Sequence, residues 1–208
     1  MSGCANAVRA GRNEFLRLMQ LRMDDCEYVG AQFNDQMFYT EEFVSIFEVP
    51  MWTGPEYTPN GGTELPRAFK NVVAAVDKRI ALAKRKSEPA PTNVTFVIQS
   101  DGASCTTGMN TVEFKALVDA KRREGWHFVY LAEGQRAYDA ATAQPAAANG
   151  FFVSTNRMNG LGFPPSEVIM YNGTKTAAVF EEIAYEVLES LVTGAPLDTS
   201  HRKAISDK

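Results

Sequence analysis

The sequence predicts an α/β protein with a doubly wound, mostly parallel sheet and helices on both faces. Apolar stretches rich in strand-forming residues alternate with amphipathic helices of about ten residues or more, which is the pattern of a parallel sheet. Residues 94–99 carry the clearest strand, and their apolar side chains do not alternate cleanly with polar ones. That composition is typical of a strand covered by helices on both faces.

Asp101 follows this strand within Ser100-Asp101-Gly102, where a carboxylate meets a glycine that permits a tight turn. Open α/β sheets bind their ligands at the carboxyl ends of the strands, so Asp101 is the first candidate functional residue. The alternative interpretation is that Asp101 only caps a turn.

Length and composition indicate one domain over residues 1–194, followed by a polar tail over 195–208. Hydrophobic residues make up 45% of the 208 and charged residues 22%, which is ordinary for a globular protein. A net charge of -4 argues against nucleic acid and anionic membranes as partners. No apolar run approaches the roughly 20 residues that span a bilayer.

The cysteines and histidines point to a cytoplasmic protein without a zinc site. Cys4, Cys26 and Cys105 are odd in number and lack paired spacing, which fits reduced thiols. His127 and His201 have no metal-ligating neighbour in the sequence.

The first half of the chain predicts a helix and a small group of strands before the longest helix. In the first helix we expect Val8, Leu16 and Met19 on the buried face and Arg9, Arg12, Glu14 and Arg17 pointing elsewhere. The predicted segments are a helix over 4–23, strands over 26–33 and near 37–39, an apolar stretch over 43–49, and a loop over 50–62.

The second half predicts regular alternation of helix and strand. Thr63 is the expected N-cap of the longest helix, with Glu64 and Pro66 in the first turn and a basic cluster at Lys84-Arg85-Lys86. The further segments are a helix from 110 or 111 to 125, a strand over 126–132, a helix over 135–148 interrupted at Pro145, strands over 151–154 and 168–171, and a helix from Thr174.

Three short motifs together resemble a von Willebrand factor A (VWA) domain. They are Ser2-Gly3-Cys4 before the first helix, Gly61-Gly62-Thr63 before the longest helix, and Ser100-Asp101-Gly102 after the central strand. In that family an Asp-x-Ser-x-Ser loop, a distant threonine and a distant aspartate form a metal-ion-dependent adhesion site. The resemblance implies that Ser2, Thr63 and Asp101 stand at three of these positions.

The resemblance covers nearly the whole chain and is closest to small VWA-like proteins of bacteriophages and bacteria. Those proteins tend to carry Phe-Asn-Asp after an early strand, here residues 33–35. They also tend to carry Gly-Trp-x-Phe-x-Tyr-Leu, here from Gly125, before an alanine-rich helix.

Two positions of the implied metal site depart from the family pattern. Cys4 stands at the second serine, and a thiol is a soft ligand where Mg²⁺ prefers oxygen. The leading aspartate would fall before Met1. We therefore expect a degenerate site that binds Mg²⁺ weakly or not at all.

The central strand that precedes the first helix in VWA domains also has no counterpart in the sequence. An empty central position would leave backbone N–H and C=O groups unpaired on both neighbouring strands. The natural protein could begin upstream of Met1. Otherwise we expect the strand over 26–33 to pair directly with that over 94–99, or a segment of a second chain to fill the position.

The leading functional hypothesis is a non-enzymatic module that binds a protein at the carboxyl edge of the sheet. Its candidate contact residues are Asn6, Asn60, Gly62 and Ser104. The resemblance implies a protein partner, and in a phage setting this would be a host or virion protein met in the host cytoplasm.

Two other hypotheses stay open. The first is a doubly wound enzyme acting at Asp101, although the sequence has no glycine-rich phosphate loop and no Gly-x-Ser-x-Gly elbow. The second is a self-assembling structural protein, a homo-oligomer whose contacts would be aromatic residues between Phe47 and Tyr57. For Trp52 and Tyr57 the alternative is packing of the loop over the sheet edge.

Overall fold

The computed structural model describes residues 5–23, 25–62, 64–101, 111–143, 160–171 and 176–193. Within these ranges helices and strands alternate as the sequence predicts. The helices are α1 (Ala5–Arg22), α2 (Leu65–Lys86), α3 (Thr111–Arg123), α4 (Gly134–Thr142) and α5 (Thr176–Thr193). The strands are β1 (Glu27–Phe33), β2 (Met37–Ser45), β3 (Thr95–Ser100), β4 (His127–Glu133) and β5 (Val168–Tyr171).

The described strands form two sheets. β3, β4 and β5 make a parallel sheet in that order, with Thr95 opposite His127 and Tyr130 opposite Val168. β1 and β2 make a separate antiparallel hairpin, with Phe33 opposite Met37. Direct pairing of β1 with β3, one of the two expected ways to close the sheet, is therefore wrong for the described residues.

Helices cover both faces of the parallel sheet, as the near-continuous apolar composition of its strands predicts. On β4, Phe128 and Tyr130 pack with α2, α3 and α4, while Val129 and Leu131 pack with α1 and α5. All five residues from Phe128 to Ala132 are buried, because β4 lies between two strands and two helical layers. The α/β class with helices on both faces is thus confirmed.

The predicted break in the second strand is wrong. The sequence suggests a strand near 37–39 and a separate apolar stretch over 43–49. Instead β2 runs through these residues to Ser45 and ends in a short 3₁₀ turn, Ile46–Glu48. The strand continues because Glu41, which is only 9% exposed, is neutralised by an arginine of α1.

That arginine is Arg12, which we expected to point away from the core. It is 7% exposed and its Nη2 lies 2.8 Å from Oε1 of Glu41. A buried charge is tolerated when an opposite charge and hydrogen bonds surround it. The burial of Arg12 therefore reflects a contact that joins α1 to β2.

The start of α2 also differs from the prediction. Glu64 occupies the N-cap position, without a side-chain cap bond, where Thr63 was expected. The backbone N–H of Glu64 donates to the carbonyl of Asn34 at 2.8 Å, and its own carbonyl accepts from Ala68. Attachment to the end of β1 thus fixes where the helix begins, and Pro66 suits its first turn.

Several predicted segments lie outside the described residues. They are residues 1–4, the end of the alanine-rich helix over 144–148, the strand over 151–154, the first predicted residues of the last helix, and the tail over 195–208. In the described part α4 ends at Thr142, before Pro145. Among the described helices none is long and apolar enough to cross a membrane.

Candidate functional site at the carboxyl ends of the strands

The loop before α2 is tied to the turn that follows β1. The side-chain amide of Asn34 donates to Oδ1 of Asn60 at 2.7 Å. Oδ1 of Asp35 accepts from the backbone N–H of Gly62 at 3.1 Å. With the bond from Glu64 to the Asn34 carbonyl, three hydrogen bonds join the segment over 60–64 to the carboxyl end of β1.

The turn itself is shaped by Asn34, and the loop over it requires a glycine. Oδ1 of Asn34 accepts from the N–H of Gln36 at 2.7 Å, which is the side-chain turn that asparagine commonly makes. Gly61 has a φ of 72°, and a Cβ there would lie 2.7 Å from a carboxylate oxygen of Asp35. Only glycine allows this loop to approach Asp35 so closely.

Asp101 lies at the carboxyl end of β3, beside a buried tyrosine. Ser100 is buried and hydrogen-bonds to the hydroxyl of Tyr130. Burial raises the pKa of Tyr130 to about 12; the Ser100 hydrogen bond lowers it and the charge of Asp101 raises it. On the other face the amide of Gln99 donates to the hydroxyl of Tyr171 at 2.6 Å. Two tyrosine hydroxyls thus hold the end of β3.

A cluster around Arg12 fixes the loop over 50–57 against α1. The Arg12 guanidinium lies 4.0 Å from the ring centroid of Trp52 and donates to the carbonyl of Pro50 at 3.1 Å. Asn13 both donates to the carbonyl of Trp52 and accepts from its N–H, each at 2.8 Å. Trp52 stacks on Tyr57 with an interplanar angle of 5°.

For Trp52 and Tyr57 the structure therefore shows loop packing, which was the alternative to exposed contact points. Phe47 differs, because 52% of its surface is exposed.

Asn6 lies in the first turn of α1. Its Oδ1 accepts a hydrogen bond from Arg9, which also donates to the carbonyl of Tyr57 at 3.0 Å.

The structure describes half of the predicted site residues. Asn60 and Gly62 are held on the end of β1, Asn6 is linked through Arg9 to the loop over 50–57, and Asp101 is placed at the end of β3. The other four lie outside the described residues: Ser2, Cys4, Thr63 and Ser104.

The Arg12 cluster was missed from the sequence, although a signal exists. Arg12 stands four residues after Val8 and four before Leu16, so the buried stripe of α1 passes through it. An arginine inside an apolar helical stripe indicates a buried partner, which here is Glu41.

The described part of the chain offers little for a metal ion. It contains no group of three or more histidine, cysteine, aspartate or glutamate side chains placed to hold one. Of the implied ligands only Asp101 is described, and it is the only carboxylate in that set. One carboxylate, two hydroxyls and a thiol fit Mg²⁺ poorly.

A groove lies at the amino-terminal end of β3, opposite the candidate site at the carboxyl ends of the strands. Its volume is about 630 Å³, and it is bordered by α2 and by Val94 and Trp126. Its two acids, Asp77 and Glu124, both bind Lys121, at 2.6 and 2.8 Å. The two acidic charges of this groove are thus already paired.

No protein-family model, curated protein or solved structure matches the chain. The functional argument therefore depends on the residues of the chain itself.

Proposed function

We propose that the chain is a non-enzymatic protein-binding module of the VWA type, which binds its partner at the carboxyl ends of the strands. The observation that supports this most is the attachment of the 60–64 segment to the end of β1 through Asn34 and Asp35. A loop held by several hydrogen bonds loses little conformational freedom when a partner binds, which favours affinity.

The polar groups of this edge suit a protein surface. Asn6 is exposed on α1, Asn60 is exposed in a loop bonded to the end of β1, and Asp101 is partly exposed directly after β3. Such an edge offers amide and carboxylate groups for the rim hydrogen bonds of an interface. The partner is a protein, and the proposal includes a bacteriophage setting in which it comes from the host or the virion.

A metal ion has at most a minor role in this proposal. We expect titration calorimetry with Mg²⁺ or Mn²⁺ to give dissociation constants far weaker than micromolar, because the site offers one carboxylate and a thiol. Cys4→Ser should tighten any binding and Asp101→Ala should abolish it. Low-micromolar binding by the unaltered chain that is lost in Asp101→Ala would contradict this account of the site.

The binding function is tested by comparing two aspartate variants. Asp101→Ala changes the proposed surface, and Asp25→Ala is its control, because Asp25 is exposed just before β1, at the opposite end of the strands. Proteins captured from a host extract by the unaltered chain should include one that Asp101→Ala loses and Asp25→Ala retains.

The same pair of variants separates binding from folding. We expect Asp101→Ala to lower the free energy of unfolding by about 1 kcal/mol or less, as for most changes outside a core. A larger loss, with binding unchanged, would make Asp101 a structural cap and contradict its placement in the interface.

A further inference from the structure

β1 and β3 lie in one layer of the fold, although they belong to different sheets. Val29 and Phe33 of β1 and Phe96 and Ile98 of β3 pack on the same apolar cluster, under α2. On the opposite face Tyr28 of β1 and Val97 of β3 share the cluster formed with α1 and α5. Both strands are thus enclosed between the same two helical layers.

The two strands run in the same direction, because α2 runs back along both of them. α2 begins at the carboxyl end of β1, where Glu64 bonds to Asn34, and Arg79 near its other end pairs with Glu27 at the start of β1. That same end of α2 packs at the start of β3, where Ile80 and Val94 border one groove.

The space between β1 and β3 is wider than one strand spacing. Nearly all residue pairs between them have Cα atoms more than 8 Å apart, in contrast to β3 and β4. Neighbouring strands lie about 4.8 Å apart, so two strands of one layer whose Cα atoms are more than 8 Å apart are not directly paired, and one more strand fits where the separation is about twice the strand spacing. We call this space the β1–β3 slot; no strand of the described residues occupies it.

On the β1 side, alternate backbone groups face the slot. The N–H of Asn34 points toward β2, because it donates to the carbonyl of Gln36, just before that strand. Residues of an antiparallel strand alternate in the side to which their N–H and C=O point. With no register shift between Ala31 and Phe33, the backbone groups of these two residues therefore point away from β2 and into the slot.

The same reasoning shows which backbone groups of β3 face the slot. The N–H of His127 donates to the carbonyl of Val94 at 2.8 Å, so residues 94, 96, 98 and 100 direct their backbone groups toward β4. Those of Thr95, Val97 and Gln99 point into the slot. No described residue forms a ladder with this edge.

The side chains beside the slot are apolar but incompletely covered. Phe96, Val97, Val29 and Phe33 are all only partly buried, whereas the equivalent residues of β4 are fully buried. A strand between β1 and β3 would cover these side chains and bond to both edges at once.

We propose that the β1–β3 slot binds an extended strand donated by a partner polypeptide. The strand is six or seven residues long, matching β3 and β1, and runs parallel to both. Its side chains are apolar on both faces, because one face meets α2 and the other meets α1 and α5. The described strands of a second copy are not the donor, since each of them is already paired within its own sheet.

The test uses a synthetic seven-residue peptide of valine, isoleucine and threonine, with lysines beyond both ends for solubility. We expect it to bind the purified chain and to slow amide hydrogen exchange at both Ala31 and Val97. The control peptide carries proline at its centre, which removes an N–H and should weaken binding at least tenfold. Protection of β2 alone would place the peptide on the outer edge of the hairpin and overturn the proposal.

A variant of the chain tests the same point from the other side. Ala31→Pro removes an N–H that faces the slot but leaves that of Gln32, which bonds within the hairpin. We expect peptide binding to fall at least tenfold while the chain stays folded by circular dichroism. If the variant does not fold, the proline peptide and the exchange pattern still decide.

The direction of the strand is tested through Cys26, which precedes β1 and is only partly buried. In a background with Cys4→Ser and Cys105→Ser, a peptide whose amino-terminal cysteine is supplied as a mixed disulfide with a small thiol should exchange with the Cys26 thiolate, which releases that thiol and links the peptide to Cys26. A peptide with the cysteine at its carboxyl end should not. Cross-linking only by the peptide with the carboxyl-terminal cysteine would contradict the proposal. So would a concentration-dependent dimer of the chain. Slot amides that are as well protected without the peptide as with it would also contradict it.

Discussion

The contact between Arg12 and Glu41 shows how one pair of residues can determine the path of a strand. Glu41 lies in the middle of β2, and its burial is tolerated because Arg12 places a guanidinium 2.8 Å away. Arg12 in turn lies over the ring of Trp52 and donates a hydrogen bond to the carbonyl of Pro50. Removing one partner would leave an uncompensated charge in a place that water reaches poorly.

We therefore expect Arg12→Met to lower the free energy of unfolding by about 3 kcal/mol. Adding Glu41→Gln should recover a large part of that loss, because the orphaned carboxylate is then neutral. Urea unfolding of both single variants and the double variant measures this coupling. Additive losses in the double variant would show that the two side chains act independently.

A second residue-scale prediction concerns Tyr130, whose hydroxyl bonds to Ser100 beside Asp101. Its folded-state pKa of about 12 exceeds the ordinary value of 10, so the native state holds the phenol proton more tightly. The stability that this provides is complete below pH 10 and is lost as the pH rises through 12. The loss of stability with pH should be shallower in Tyr130→Phe.

Unfolding measured between neutral pH and pH 11 tests this point. Burial also raises the pKa of Tyr28, so Tyr130→Phe should reduce the alkaline loss without removing it. An unchanged loss in the variant would mean that Tyr130 ionises normally.

At the scale of elements, the packing of α1 on α5 depends on Gly11. Glycine inside a helix is unfavourable by about 1 kcal/mol relative to alanine when nothing else acts on it. Here, however, a Cβ on Gly11 would collide with the ring of Phe180 on α5. The glycine is thus a helix–helix contact point, which its position in the sequence did not reveal.

Gly11→Ala should therefore destabilise the protein by about 1 to 3 kcal/mol, the usual cost of overpacking a core. Phe180→Leu in the same background should return part of that stability by making room for the methyl group. Thermal unfolding of both variants measures this, with Ala10→Gly on the exposed side of α1 as a control for helix propensity alone. A stabilised Gly11→Ala would refute the close contact.

The elements themselves could largely be predicted from sequence, because their signals are local. The apolar stripe through Val8, Leu16 and Met19 predicts α1, and the β-branched composition of residues 94–99 predicts β3. The continuation of β2 could not be predicted, since it depends on Arg12, 29 residues before Glu41. The start of α2 likewise depends on a bond from Glu64 to Asn34.

The same holds for the candidate site. The sequence indicates Asn60, Gly62 and Asp101 as candidate site residues, and Asn34-Asp35 as the end of an early strand. It does not show that Asn34 and Asp35 hold the loop over 60–62. Asn60 lies 26 positions after Asn34, and Gly62 lies 27 positions after Asp35. Such long-range hydrogen bonds are known only once the strands and α2 are placed.

At the scale of the whole molecule, the central claim is that β1 and β3 form one layer with an open strand position between them. Their faces share two cores, yet the backbone groups of Ala31, Phe33, Val97 and Gln99 have no ladder partner among the described strands. A strand in this position would pair these backbone groups and cover the partly buried apolar side chains beside them, so filling it should raise the stability of the entire fold.

Residue-resolved amide hydrogen exchange of the isolated chain tests this claim most directly. The amides of Ala31, Phe33, Val97 and Gln99, which face the slot, should exchange at least tenfold faster than those of Gln32 and Ile98, which lie in the same strands but face β2 and β4. Equal protection of slot-facing and ladder-facing amides would show that β1 and β3 are already paired on both edges, and would contradict the account.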